Sequence, residues 1–282
     1  MSADDAPLSF TGERFHPQLE REIAYEHWHR YAFAQRLVAG RSVLDAACGE
    51  GYGSALLAGA AASVIGVDLS AAAIAHARAR YDHPRIRFIE GDACRLDGIA
   101  SASIDVVVSF ETLEHLADHD GLLASFRRVL KPDGLLLIST PDKRTYSDDA
   151  GYANPHHVRE LYRSEFEALL ARHFPAHRLY GQRVVAQSML WQLDGGVGDA
   201  EAFTQVGETV QPGMQATALY HLAVCATSAE ALAGLPALSS FTDAQQSVMH
   251  HHTQAVGELL ATDRYALTLR QRLRDAGLPD GP

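Results

Sequence analysis

The sequence predicts an α/β fold, a Rossmann-like parallel sheet covered by helices on both faces, and three observations predict it. Short, continuously apolar runs alternate with helix-forming segments, the pattern of strands buried on both sides. One of them, Val43-Leu44-Asp45, ends in an acid and passes through Gly49, Gly51 and Gly53 into an alanine- and leucine-rich stretch. Strand, tight turn and helix in that order make a ligand-binding junction. Polar residues (Asp45, Asp68, Asp92, Ser109) then recur at the ends of successive runs, and ligands of open α/β sheets bind beyond the carboxyl ends of the strands.

The glycine turn narrows the ligand. Three glycines in five residues let the backbone turn sharply and let a ligand approach without interference from Cβ. A Walker loop would need Gly-Lys-Ser/Thr, and Glu50 would repel a phosphate. The spacing is G-x-G-x-G rather than the dinucleotide G-x-G-x-x-G. With Asp45 at the strand end, the pattern favours a cationic nucleoside.

At 282 residues and 47% hydrophobic, the chain can bury one principal core and carry a smaller cap or tail. Its formal charge of -11 argues against a grip on nucleic acid or anionic lipid. Cys48, Cys94 and Cys225 lie in separate segments without C-x-x-C spacing, so they read as reduced core residues rather than a disulfide framework or zinc site. Residues 1–10 lack a basic, then apolar leader, and no run approaches the roughly 20 apolar residues of a membrane span. A cytoplasmic protein is expected.

In chain order, Phe10 to Pro17 is a turn-rich approach with two aromatics, a candidate lid. Glu20 to Ala39 is helical and Gly40 stops it. Its Glu26-His27-Trp28-His29-Arg30-Tyr31 stretch is either an amphipathic packing face or a place where Arg30 or Tyr31 meets a bound carboxylate. Ser63 to Ser70 is a second strand ending in Asp68 and Leu69, with Ser70 capping a helix over Ala71 to Arg80. Asp68 follows the glycines by about 20 residues, where a Rossmann-like unit places the acid that accepts ribose hydroxyls. Ile86 to Ile89 is the third strand, and Asp92 beyond it is a turn former or an adenine acceptor. Ile104 to Phe110 is the fourth, followed at once by Glu111 and by a helix over Gly121 to Leu130.

Lys131 to Gly134 reads as a turn, Leu135 to Thr140 as a fifth strand, and Asp142 to Arg163 as a long polar loop of functional character. Ser164 with Glu167 reads as a capping box. Ala176 to Gln182 and Ala218 to Cys225 supply strands six and seven, around an irregular insertion at about 183–215 that carries Trp191, Asp194, Gly195, Gly196 and Gly198. Residues 227–282 form a linker and one long helix over Phe241 to Asp275. Its imperfect stripe of Val256, Leu259, Leu260, Leu267 and Leu273 suits a neighbouring element or a second subunit. His250-His251-His252 point in different directions on such a helix and read as a solvated face. The domains expected are an N-terminal segment 1–39, a central domain 40–226 and the C-terminal extension.

Asp45 to Gly53, Asp68, Gly91-Asp92-Ala93, the block Ser109 to Leu116 and Leu130 to Gly134, in that order, resemble a class I S-adenosylmethionine-dependent methyltransferase over about residues 40–226. The resemblance implies a seven-stranded sheet with strand seven antiparallel. It also implies that Gly49, Gly51 and nearby backbone at Ala47 cradle the cofactor's amino-acid end, with Asp45 near its ammonium. Asp68, with Leu69, would hold the ribose, and Asp92 with Ala93 the adenine; Ser109, Glu111 and Arg30 complete the expected set. Phe10 to Phe15, Glu26 to Tyr31 and Asn154 to Leu161 further resemble methyltransferases of bacterial surface-polysaccharide and glycan assembly, which implies a sugar hydroxyl as acceptor.

An alcohol acceptor must be aligned with the sulfonium methyl and relieved of a proton. A histidine suits that task, and His157, ahead of His115 and His156, is the candidate base. His115 bonded to backbone at a helix start is the structural alternative. Glu111, Glu114, Asp142 and these histidines could instead hold a divalent metal, which the spacing does not require. The other readings are N- or O-methylation of a small natural product, and a cofactor-binding interaction module without turnover.

Overall fold

A computed structural model describes residues 22–190 and 200–279 of the chain. The Phe10 to Pro17 approach and Trp191, Asp194, Gly195, Gly196 and Gly198 lie outside the described residues. Helix α1 (Glu22–Val38) precedes two strand–helix steps, β1 (Ser42–Ala46) with α2 (Tyr52–Ala58) and β2 (Ser63–Asp68) with α3 (Ala71–Arg80), and then β3 (Ile86–Glu90). Then come β4 (Ile104–Phe110), α4 (His119–Val129), β5 (Leu130–Pro141), α5 (Arg163–His173) and β6 (Ala176–Gln182). A hairpin of β7 (Phe203–Val206) and β8 (Thr209–Pro212), strand β9 (Tyr220–Ala226) and helix α6 (Ser247–Asp275) complete it.

Seven strands form one sheet in the order β3-β2-β1-β4-β5-β9-β6, parallel except for β9, which runs antiparallel to both β5 and β6. This is the expected class I methyltransferase fold. The strand order reverses between β1 and β4, and such a switch point opens a crevice at the carboxyl ends. Alternate strand residues feed two cores. Leu44, Val107, Leu136 and Ile138 meet Phe126 of α4 and Phe166 of α5, while Val43, Val106, Val108 and Leu137 meet Tyr31 of α1 and Leu57 of α2. Helix α1 therefore belongs to the core packing of the sheet.

Several local expectations are corrected. Lys131 to Gly134 continues β5 as an irregularity: the β4 register steps from Ile104↔Leu130 to Val106↔Leu135, and Lys131 Nζ holds Asp105 Oδ1 at 2.7 Å. Part of the 183–215 insertion is the β7–β8 hairpin, closed around Gly207 at φ 59°. Helix α5 is capped from Tyr162, whose backbone N–H donates to Glu165 Oε2 at 2.9 Å, while Glu167 pairs with Arg163. The Ser164–Glu167 box fails because Ser164 already lies within the first turn. Helix α6 starts at Ser247, where Asp243 accepts from its backbone N–H, and Val256, Leu259, Leu260 and Leu267 of its stripe are exposed.

The glycine turn also acts differently from its reading as open space for a ligand. Gly51 has φ 86°, and a Cβ there would sit 2.7 Å from Ala77 and from the Phe88 ring; a Cβ on Gly53 would collide with the Tyr31 ring. These two glycines let α3, β3 and α1 close onto the turn. Gly53→Ala should therefore destabilise the fold by about 1–3 kcal/mol through overpacking, measured by denaturant unfolding, whereas a neutral effect would show that α1 can move aside.

Candidate active site

The carboxyl ends of β1, β2 and β4 converge, and two non-glycine residues in left-handed backbone mark the crevice: Ala47 (φ 59°) after β1 and Glu111 (φ 52°) after β4. Such strain persists only where the surroundings enforce it. Glu111 is held from two sides, its backbone N–H donating to Ser139 Oγ at 3.2 Å and its Oε1 accepting from that hydroxyl at 2.6 Å.

Asp45 is buried and accepts from Ser54 Oγ at 2.7 Å and Tyr31 Oη at 3.3 Å. Burial pushes its carboxyl up to about 7, against the pull of those two hydroxyls, and the Asp68 charge adds to the rise. Asp68 ties two loops together, accepting from Gly49 N–H at 2.8 Å and Ser70 N–H at 2.9 Å. Each carboxylate oxygen keeps further lone-pair capacity. Leu69 beside it is 75% exposed, an apolar platform at the strand end. Asp92 Oδ1 accepts from Cys94 N–H at 2.8 Å, the turn-forming bond its residue type favours. Ser109 lies buried in β4, and its hydroxyl has no hydrogen-bond partner among the described residues.

Arg30 supplies the cation. It is 1% exposed on α1, its Nε donates to Gln182 Oε1 at 2.7 Å, its Nη1 lies 3.5 Å from Glu111 Oε1, and its guanidinium covers the Tyr220 ring at 4.5 Å. Among the described residues neither Nη1 nor Nη2 has a hydrogen-bond partner, Nη1 facing Glu111 only as an ion pair. Buried Glu26 stands nearby, its carboxyl pushed up to about 7 by burial and by Glu111, with Arg30 opposing. Donors left unpaired on a buried guanidinium fit an anionic group, and Asp45 across the turn fits a cationic one. The residues present thus suit a zwitterionic ligand end such as the amino-acid part of S-adenosylmethionine.

A second group of side chains lies over β4 and β5. Val158 and Arg159 donate backbone N–H groups to the Glu114 carbonyl at 2.8 and 3.0 Å, which docks the Asp142 to Arg163 segment onto the turn after β4. Within that segment, read from sequence as a long polar loop, a π-helical turn forms at Arg144–Asp148. His157 Nδ1 meets Glu160 Oε1 at 2.6 Å, Ser147 Oγ donates to Glu160 Oε2 at 2.6 Å, and Asn154 Nδ2 lies 3.1 Å from His157 Nε2. The imidazole stacks on Tyr146 at 5.4 Å and meets the His115 ring edge-on at 5.0 Å. His115 Nδ1 bonds the His156 carbonyl at 3.1 Å, as its structural alternative anticipated, and the His156 side chain itself is exposed.

Glu114, His115 and His157 each bring a ligand-type atom within 4.8 Å of the others, the grouping of metal-binding type found among the described residues. Glu114 is buried, accepts from Thr140 Oγ1 at 3.1 Å, and has its carboxyl raised well above the usual range by burial and by Glu111. Glu111 and Asp142, also candidates from sequence, lie outside that trio. Sequence reasoning missed Glu160 and Ser147 behind His157, and Glu26, Gln182 and Tyr220 around Arg30. A histidine with an acid three residues on, within a polar segment, was the available signal for Glu160, and the four-residue spacing on α1 that for Glu26; Ser147 joins through the folding of its own segment, and Gln182 and Tyr220 come from strands that meet Arg30 only in the fold.

Comparison with known proteins identifies the family and the fold. A family model described as a methyltransferase domain matches residues 44–138. A probable S-adenosylmethionine-dependent methyltransferase of Mycolicibacterium smegmatis is 44% identical over 167 residues, covering 58% of this chain and 63% of that protein. The phthiotriol/phenolphthiotriol dimycocerosates methyltransferase 1 of Mycobacterium ulcerans is 30% identical over 215 residues, covering 68% and 76%. A Thermotoga maritima SAM-dependent methyltransferase structure shares the fold at a TM-score of 0.51 and 16% identity, covering 72% of this chain and 90% of that one. The chain thus spans somewhat under two thirds of the M. smegmatis relative.

The raised Asp45 carboxyl fixes a pH dependence. Between its ordinary value of 3.8 and about 7, the native state keeps a proton that the unfolded chain has lost. Stability from this group is complete below that window and declines as pH rises through it. The stability of the parent protein relative to Asp45→Asn should therefore fall between pH 4 and pH 7.5 in thermal unfolding, and a rise would contradict the assignment.

Proposed function

This chain belongs to the S-adenosylmethionine-dependent methyltransferases, and from that premise we propose that it methylates a hydroxyl of a sugar or glycosylated acceptor. S-adenosylmethionine supplies the electrophilic methyl group, leaving S-adenosylhomocysteine, and the remaining tasks fall to residues of this chain. Arg30 takes the cofactor's carboxylate and the Asp45 end of the turn its ammonium. Ala47, Gly49 and Gly51 supply the backbone around them, with Ser109 and Glu111 at the end of β4. Asp68 and Leu69 receive the ribose, and Asp92 and Ala93 the adenine.

The observation that carries the chemistry is the His157–Glu160 pair. Glu160 accepts the Nδ1 proton, which leaves the Nε2 lone pair to take the acceptor's proton as its oxygen attacks the methyl carbon. Asn154, now beside Nε2, yields that position to the acceptor hydroxyl. Glu160 balances the imidazolium that forms, and Ser147 fixes Glu160. Tyr146 packs against Tyr152 at 6.0 Å and Tyr220 at 5.9 Å, an aromatic wall suited to the flat face of a sugar ring. The name of the M. ulcerans relative supports a second reading, methylation of a small natural product. A carbohydrate acceptor panel set against small lipidic alcohols separates the two by kcat/KM.

The three cysteines are free thiols, which supports a cytoplasmic setting. No helix among the described residues is long and apolar enough to cross a membrane. The exposed α6 stripe supports association with a second copy of the chain.

His157→Ala should lower turnover about 100-fold or more while calorimetric affinity for S-adenosylhomocysteine stays unchanged, and Asp68→Ala should abolish that binding; normal turnover in the histidine variant would remove His157 as base. Arg30→Met should weaken S-adenosylhomocysteine at least ~10-fold, from the loss of hydrogen bonds to a charged group, and leave 5′-methylthioadenosine, which lacks the amino-acid end, unaffected. Equal losses for both ligands would place Arg30 in the fold rather than at the carboxylate.

A further inference from the structure

We propose that Glu114, His115 and His157 form a site for a first-row transition metal, and that an ion bound there silences the enzyme by occupying its base. The site stands on geometry alone; the silencing rests on the reading of His157 as base given above.

The three donor atoms lie within 4.8 Å of one another. Tetrahedral bonds of ~2.1 Å place ligand atoms about 3.4 Å apart, so small side-chain rotations close the trio around an ion. Both imidazoles have Nδ1 engaged by an oxygen. His115 Nδ1 is tied to the His156 carbonyl and His157 Nδ1 to the Glu160 carboxylate, which directs the Nε2 lone pairs to the ligand role. Such outer oxygen partners are what metal-ligating histidines require. Glu114 is anchored at Oε2 by Thr140 and through its own carbonyl by Val158 and Arg159, so acid and histidine segment are fastened to each other before an ion arrives. Asn154 Nδ2, 3.1 Å from His157 Nε2, has to turn aside; the Tyr146 hydroxyl at 3.4 Å is its other partner, and Asn154 Oδ1 accepts from the His156 N–H at 3.0 Å.

Two imidazoles and one carboxylate select Zn2+ or Co2+ over Mg2+ or Ca2+, which prefer oxygen donors. The proton acceptor and the metal ligand are the same lone pair on His157 Nε2. An ion there removes the base, so turnover belongs to the metal-free enzyme and zinc opposes it.

Calorimetry with Zn2+ on the full chain, without cofactor, should give one site per chain. Co2+ should give the visible bands of a tetrahedral centre. His115→Ala and Glu160→Gln should each weaken Zn2+ at least ~10-fold, the second while leaving all three ligands in place. Absence of stoichiometric binding, or binding untouched by both substitutions, would overturn the site. In methyl transfer, a chelator should preserve turnover and equimolar Zn2+ should suppress it at least tenfold, with the suppression lost in His115→Ala. Loss of activity in chelator, restored by Zn2+, would overturn the silencing and make the ion part of the reaction. Intact Zn2+ binding with no turnover on any acceptor would overturn the silencing together with the base assignment and leave the site standing.

Discussion

A guanidinium buried to 1% exposure has to be matched by its surroundings, and the arrangement of this protein around the ends of its strands follows from how Arg30 is matched. The side chain comes from α1, its hydrogen-bond acceptor from the end of β6, its aromatic cover from the start of β9 and its countercharge from the turn after β4. Gln182 closes the circle by donating from Nε2 to the Glu26 carbonyl on the same helix as Arg30, at 2.9 Å. One residue thus fixes α1 across the crevice. Its rigid, permanently charged fork suits the task in a way a lysine ammonium would not.

The same economy governs the glycine turn. Gly51 and Gly53 are sites of close packing against Phe88, Ala77 and Tyr31, and the Tyr31 hydroxyl then reaches Asp45. The absence of side chains at these positions brings the helices close enough to bury Asp45, and burial in turn raises its carboxyl to about 7. A ligand cation beside Asp45 would favour the ionised form and recover that cost. Packing and ligand electrostatics are therefore two consequences of one turn.

The chemistry over the crevice is assembled from a segment with few apolar residues. It keeps a defined shape because polar groups hold it: the Glu114 carbonyl takes two of its N–H groups, Thr145 Oγ1 donates to the Ala218 carbonyl at 2.6 Å, and Ser147 and Glu160 pair within it. His157 gains its orientation from this network. The proposed competition between proton and metal for its Nε2 would follow from the docking of the segment on Glu114 and His115.

The parallel sheet, the positions of its first five strands along the chain and the polar residues at their ends were legible in the sequence, because continuous apolar runs, glycine turns and strand-terminal polar residues are local signals. The helices followed for the same reason, within a few residues at their ends. The pairing of His157 with Glu160 was accessible in principle, being three residues apart. The sequence could not reveal that Gly53 serves Tyr31, that Gln182 and Tyr220 enclose Arg30, or that Lys131 to Gly134 extends a strand. Those facts join residues up to 190 positions apart (Arg30 and Tyr220), or depend on a neighbour's charge such as Asp105. Sequence by itself determined the main strands and helices and which strand ends carry polar groups, while the β7–β8 hairpin and the π-helical turn at Arg144–Asp148 left no local signal. Only the tertiary structure decided which of those groups are buried together, because burial and charge matching are properties of the packed whole.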